Sequence, residues 1–251
     1  MKYGEVKFEY CRKGDLFGYC RIDSPVSLFE PTAIFDADKA VICKVGSKIT
    51  SAVAGEVFVK CYFYRGFFSR FRHIFRTSRA GSCVACALAV QQAGIETPAP
   101  WGWLRESSLF FPRRDLLFTE ALPPETVYMP AFLQNSPEEA VKKITDCVVK
   151  LHQAGIQHSD LSLRNLYLTS RGEAGLIDLD GCKLHSAPLS VKKRTREMAR
   201  VISSAAKITT LFSLSSFREL FLTEYKARCG IDLASPALDA QAEYLCNRRR
   251  T

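Results

Sequence analysis

His158-Ser159-Asp160-Leu161-Ser162-Leu163-Arg164-Asn165 is followed closely by a second short run, Leu176-Ile177-Asp178-Leu179-Asp180-Gly181. Asp160 and Asn165 stand five apart, and Asp178 stands thirteen beyond Asn165. A lone H-x-D is common, and an Asp on a turn usually caps or meets solvent. Here the context agrees with chemistry. Ser136-Pro137-Glu138-Glu139 has the residues of a helix start, with Ser136 as N-cap and Glu139 closing a capping box. Val141, Ile144, Val148 and Leu151 then share one face, and Gly155 ends the helix just before His158. An apolar strand runs into Asp178. A loop carboxylate can take a proton from a hydroxyl. The Asn165 amide oxygen and the Asp178 carboxylate are hard oxygen ligands suited to Mg²⁺.

This order resembles the catalytic apparatus of kinase-fold phosphotransferases, H-x-D-L-x-x-x-N followed by a metal-binding Asp. Phosphoryl transfer needs an oriented hydroxyl, metal on the phosphates and fixed geometry rather than covalent help. The resemblance makes Asp160 the catalytic base and Asn165 and Asp178 the metal ligands. His158 becomes structural support, and ATP with Mg²⁺ becomes the expected cofactor set. It also organises the chain upstream. Ala40–Cys43, Ile49–Val53 and Val57–Tyr62 read as three strands joined by turns. Lys60 ends a V-F-V-K run similar to the kinase V-A-I-K strand, whose Lys holds the α- and β-phosphates. The alternative is a surface Lys on an edge strand. No G-x-G-x-x-G covers the phosphates; Gly46 and Ser47, beside Lys48, are the candidates in that turn. Leu116–Leu122, apolar up to Glu120, resembles the strand and hinge that meet adenine, which makes Glu120 an ATP-site candidate.

The expected fold is α+β and kinase-like, in two lobes. Residues 1–121 would form a small antiparallel sheet with a helix, and residues 122–251 a mainly helical lobe. Residues 1–35 suggest short strands broken by Gly14, Gly18, Pro25 and Pro31. Ala80–Ala93 reads as a helix stopped by Gly94, and it carries no acidic residue to pair with Lys60. Ser216–Arg228 and Pro236–Arg248 read as two further helices.

Composition bounds the class. The 251 residues are 47% hydrophobic and 24% charged, an ordinary globular balance. The net charge of +9 favours anionic partners. The N-terminus has no secretory signal pattern, and no run is apolar enough to span a bilayer. Ten scattered cysteines, with one C-x-x-C at Cys83 and Cys86, predict reduced thiols rather than a zinc site. Tyr62–Arg79 carries Phe67, Phe68, Phe71, Ile74 and Phe75 among Arg65, Arg70, Arg72, Arg76 and Arg79, with no acid. It reads either as a helix packing its aromatics on the small lobe or as an interfacial helix for anionic lipid. Lys192, Lys193, Arg194, Arg196 and Arg200 form a second basic cluster.

The chain resembles the bacterial lipopolysaccharide core kinases, the Kdo and heptose kinase family, from about Lys44 to Tyr225. The match rests on V-F-V-K-C-Y, on S-R-A at Ser78, on A-G-I-E-T-P at Ala93–Pro98 and on the two site motifs. The resemblance implies ATP-dependent phosphorylation of a sugar hydroxyl in the lipopolysaccharide inner core. It also implies a cytoplasmic, peripheral place on the inner membrane, with a lipid-linked glycan and an anionic surface as partners. No nucleic-acid partner is expected. Ser159 replaces the Arg of protein kinases, Ser162 the usual Lys and Asp180-Gly181 the usual Phe-Gly, and no A-P-E element is present. These departures weigh against the alternative of a switchable protein kinase. A second alternative is a catalytically weak, nucleotide-binding scaffold at the membrane.

Overall fold

Val57, Val59 and Cys61 alternate with partly buried neighbours, the period-2 pattern of a strand, and Tyr62 is buried on the opposite face. The structure, a computed structural model, describes residues 2–3, 6–24, 41–44, 49–54, 56–74, 76–108, 111–208 and 212–248. The strands are β1 Lys2–Tyr3, β2 Val6–Lys13, β3 Leu16–Arg21, β4 Val41–Lys44, β5 Ile49–Ala54 and β6 Val57–Phe63. Helices α1 Phe67–Ile74 and α2 Arg79–Gln92 follow, then β7 Pro100–Ser108 and β8 Phe111–Glu120. All eight strands join one sheet in the order β1-β2-β3-β7-β8-β6-β5-β4, and every pairing is antiparallel.

Two clusters fill the faces of this sheet. Val57, Val59, Cys61, Leu104, Leu116 and Phe118 pack on one side. Tyr62 and Leu117 turn to the other, against Ala80, Cys83, Val84 and Leu88 of α2. Lys60 pairs with Ser51 on β5 and Leu117 on β8, so its strand is interior rather than an edge. Gly18, expected to break a strand, lies inside β3 opposite Leu104. A Cβ at Gly18 would run into the Trp103 carbonyl. The glycine therefore permits close strand approach instead of ending the strand.

The chain divides into two compact units, residues 1–88 with 98–123, and residues 89–97 with 124–251. The second holds α3 Met129–Asn135, α4 Pro137–Gln153 and β9 Ile156–Gln157. A 3₁₀ turn at Leu163–Asn165 leads to the hairpin β10 Leu166–Leu168 and β11 Ala174–Leu176. Then come β12 Lys183–Leu184, α5 Val191–Ala205, α6 Leu214–Cys229 and α7 Pro236–Arg248. Helix α4 packs on α6, and α5 on α7. Val141, Ile144, Val148 and Leu151 are all buried, as their spacing predicts. Pro137 opens α4, but the Ser136 side chain makes no cap hydrogen bond, so the expected capping box does not form. Ser136 also ends α3, and its N–H bonds Phe132 O at 2.9 Å. Its backbone (φ −142°, ψ 69°) lies off the extended N-cap conformation that aims the hydroxyl at the first turn.

Candidate active site

The site loop is held by its backbone before any side chain acts. Strand β9 pairs with β12, Gln157 opposite Lys183, and delivers the chain to His158. Ser159 then turns with a positive φ of 71°, a conformation costly for a non-glycine residue. Glu197 on α5 accepts the N–H of both His158 (3.0 Å) and Ser159 (3.1 Å) on one carboxylate oxygen. Its other oxygen meets Arg200 at 3.0 Å. Glu197 is 1% exposed, and burial pushes its carboxyl above the usual range against the pull of Arg200 and the two N–H groups. Two turns along the same helix face, Ser204 Oγ accepts the N–H of Leu163 at 3.0 Å.

His158 joins this loop to the second motif. It is fully buried. Its Nδ1 accepts the Asp160 N–H at 3.3 Å, which leaves Nε2 to carry the proton and donate to Ile177 O at 3.1 Å. Burial holds its pKa below the ordinary histidine value, so the ring stays neutral in that tautomer. Asn165 adds two ties. Its Nδ2 donates to Asp160 O at 2.9 Å, and its own carbonyl accepts the Ile177 N–H at 2.9 Å. Ile177 is thus gripped through both backbone groups, and Asp178 follows with φ 57°, the second positive φ outside glycine among the described residues. The structure brings His158, Asp160, Asn165 and the approach to Asp178 into one hydrogen-bonded unit.

The first unit carries the remaining candidates. Lys60 Nζ lies 5.7 Å from the centroid of the Tyr62 ring, and the Arg79 guanidinium lies 4.7 Å from the same ring. Glu120 closes the end of the sheet: its N–H donates to Ala99 O at 2.8 Å and its carboxylate accepts the Ala99 N–H at 3.2 Å. Gly46 and Ser47 lie outside the described residues. The Ser78-Arg79-Ala80 element has a physical reason. Asp115, fully buried on β8, accepts from Arg105 at 2.7 and 3.1 Å, Tyr64 OH at 2.6 Å, Ser78 Oγ at 2.8 Å and Arg79 N at 2.8 Å. The carboxylate thereby anchors the N-terminus of α2 to the sheet, where the helix dipole favours negative charge.

Sequence reasoning missed Glu197, Arg105 and Asp115. The available signal for Glu197 was a single acid among the bases of α5. For the other pair it was two opposite charges ten residues apart, in a stretch where no strand was read before Leu116. Arg194 is a correction: it is buried and donates to Leu189 O at 2.6 Å and Tyr225 OH at 2.8 Å, so it does not belong to a surface basic cluster.

Comparison with known proteins bears on the family and the fold. A 3-deoxy-D-manno-octulosonic acid kinase of Vibrio parahaemolyticus serotype O3:K6 is 30% identical over 98 residues, 38% of this chain and 40% of that protein. The enzyme of the same name from Xylella fastidiosa is 34% identical over 74 residues, 30% of this chain and 29% of that protein. The matches therefore span less than half the length of these curated relatives. A solved structure of WaaP in complex with acyl carrier protein superposes with a TM-score of 0.61 at 19% identity, covering 87% of this chain and 92% of that one. That likeness establishes the kinase-like α+β fold. Residues 63–218 match the lipopolysaccharide kinase (Kdo/WaaP) family, and the chain belongs to that family.

Proposed function

We propose that this protein is an ATP- and Mg²⁺-dependent phosphotransferase that phosphorylates a sugar hydroxyl, on Kdo or heptose, of the lipopolysaccharide inner core. The observation that carries the reading is the His158 bridge, which locks the backbone beside Asp160 to the backbone beside Asp178. Such rigidity is what positioning catalysis requires. Asp160 accepts the proton of the sugar hydroxyl as its oxygen attacks the γ-phosphorus. The bond from that phosphorus to the bridging oxygen breaks, and ADP leaves. Lys60 holds phosphate oxygens of the nucleotide.

The donor set fits Mg²⁺. Asn165 spends its NH₂ on Asp160 O, so its remaining polar atom is an acceptor oxygen. Asn165 and Asp178 would hold the ion through two hard oxygens. Mg²⁺ bound chiefly through phosphates and water needs few protein ligands, and no group of three or more His, Cys, Asp or Glu side chains is placed to hold a metal ion among the described residues. When bound, the ion neutralises charge on the phosphates. The lipid-linked acceptor puts the work at the anionic cytoplasmic face of the inner membrane. No helix among the described residues is long and apolar enough to cross it.

Calorimetric titration of ATP with and without Mg²⁺ tests the ligand assignment. Asp178→Ala is expected to abolish Mg²⁺-dependent ATP binding, while Asp180→Ala does less. The reverse order of damage would move the metal ligand to Asp180.

A further inference from the structure

Helix α1 has the sequence Phe67-Phe-Ser-Arg-Phe-Arg-His-Ile74 and no buried residue. A short helix normally exists because one face is covered. Here the aromatic face is the bare one. Phe67 is 63% exposed, Phe68 88% and Phe71 50%. Phe67 lies between the other two rings, with centroids 5.9 Å apart for Phe67 and Phe68 and 6.1 Å for Phe67 and Phe71. Phe67 also meets Phe111 on β8 at 5.5 Å. The helix is held from beneath by polar bonds. His73 stacks on Tyr64 at 4.1 Å, Arg70 Nε donates to Tyr64 O at 3.1 Å, and Arg105 reaches the carbonyls of His73 (3.5 Å) and Arg76 (3.4 Å). Because Arg105 is itself fixed by Asp115, the aromatic ridge sits on a rigid mount.

Charge decides what such a ridge can meet. Arg65, Arg72 and Arg76 are exposed around it, and residues 62–79 contain no acid. The acids on the adjoining strands are already engaged: Asp115 is held by Arg105 at 2.7 Å, and Glu106 by Arg113 at 3.2 Å and by Arg114 at 2.5 Å. A second copy of the chain would set arginines against arginines. A side chain as bare as Phe68 stands on a protrusion, so a rigid partner would need a matching pocket. The interfacial zone of a bilayer deforms around it instead. We infer that α1 is a membrane-docking element, inserting Phe67, Phe68 and Phe71 among lipid chains while the flanking arginines meet anionic headgroups. This deepens the reading of a lipid-linked acceptor and rests on it for the biological setting.

Co-sedimentation with phosphatidylcholine vesicles, with and without phosphatidylglycerol, at low and high salt tests the inference. Wild type should bind the anionic vesicles and weaken with salt, since charges screen over about 8 Å at physiological ionic strength. Phe68→Ser/Phe71→Ser and Arg72→Glu/Arg76→Glu should each lower binding by on the order of tenfold or more, from the transfer and Coulombic terms respectively. Matching melting temperatures establish that each variant is folded, and the arginine pair keeps the test open if the phenylalanine pair misfolds. Folded variants that bind like wild type, or a wild type that ignores anionic vesicles at low salt, overturn the inference. Wild type that binds soluble polyglutamate but not vesicles gives the ridge to an acidic protein. Turnover on detergent-dispersed glycolipid, run in parallel, separates the two readings. Turnover without vesicle binding removes α1 from membrane docking, and vesicle binding without turnover removes the kinase reading alone.

Discussion

Glu197 shows how one residue can set the shape of a site without facing substrate. Its oxygen satisfies two backbone N–H groups of the loop, one of them on the strained Ser159. Glu197→Ala would leave both without that acceptor, and each buried unsatisfied donor costs about 1–3 kcal/mol. Urea unfolding should show a loss of roughly 2–4 kcal/mol. Glu197→Gln keeps an acceptor oxygen and loses only the contact with Arg200, so it should cost less than half as much. Equal damage from the two would mean that the charge, not the acceptor, is what the loop needs. The same comparison explains what was legible in the sequence. Asp160, Asn165 and Asp178 could be picked out as candidates because their spacing is local and resembles the kinase pattern. Glu197 could not, because its partners lie 38 and 39 residues away and its meaning appears only when α5 packs beside the loop.

At the scale of elements, three helices of the second unit meet through one buried polar chain. Arg194 of α5 donates to Tyr225 OH of α6 at 2.8 Å, and that hydroxyl lies 2.8 Å from His152 Nδ1 on α4. Burial first, and the Arg194 charge second, push the His152 pKa down from 6.5 to about 3. The unfolded chain therefore takes up a proton that the folded chain refuses. The group's contribution is complete above about pH 6.5 and is lost as pH falls through the window toward 3. The stability of wild type relative to His152→Asn, followed by thermal unfolding, should drop across that window. A difference that stays flat would mean that His152 is not held neutral. Helix extents were legible because periodicity and breakers are local: α7 spans the expected Pro236–Arg248. Arg194 was misread because a charged side chain on a basic helix normally faces water. The Tyr225 hydroxyl and the Leu189 carbonyl make its burial tolerable.

For the whole molecule, the family was readable from motifs spread along the chain, whereas the eight-stranded sheet was not. β3 reaches β7 because Gly18, opposite Leu104, lets the strands close up, and β6 pairs with β8 across the intervening α1, α2 and β7. Such pairings join residues distant in sequence, where local pattern carries little information. Part of the +9 charge, which the sequence places in Tyr62–Arg79 and in Lys192–Arg200, is exposed at Arg65, Arg72 and Arg76 around α1. The proposed function rests on phosphoryl transfer through Asp160. Its most direct test is mass spectrometry of purified inner-core glycolipid incubated with ATP, Mg²⁺ and either wild type or Asp160→Asn, both checked for folding and ATP binding. Wild type should add phosphate to a sugar, and the variant should do so about 10²–10⁴ times more slowly, the usual worth of a positioned base. A folded, ATP-binding wild type that adds none, or a variant that keeps pace with it, would contradict the account.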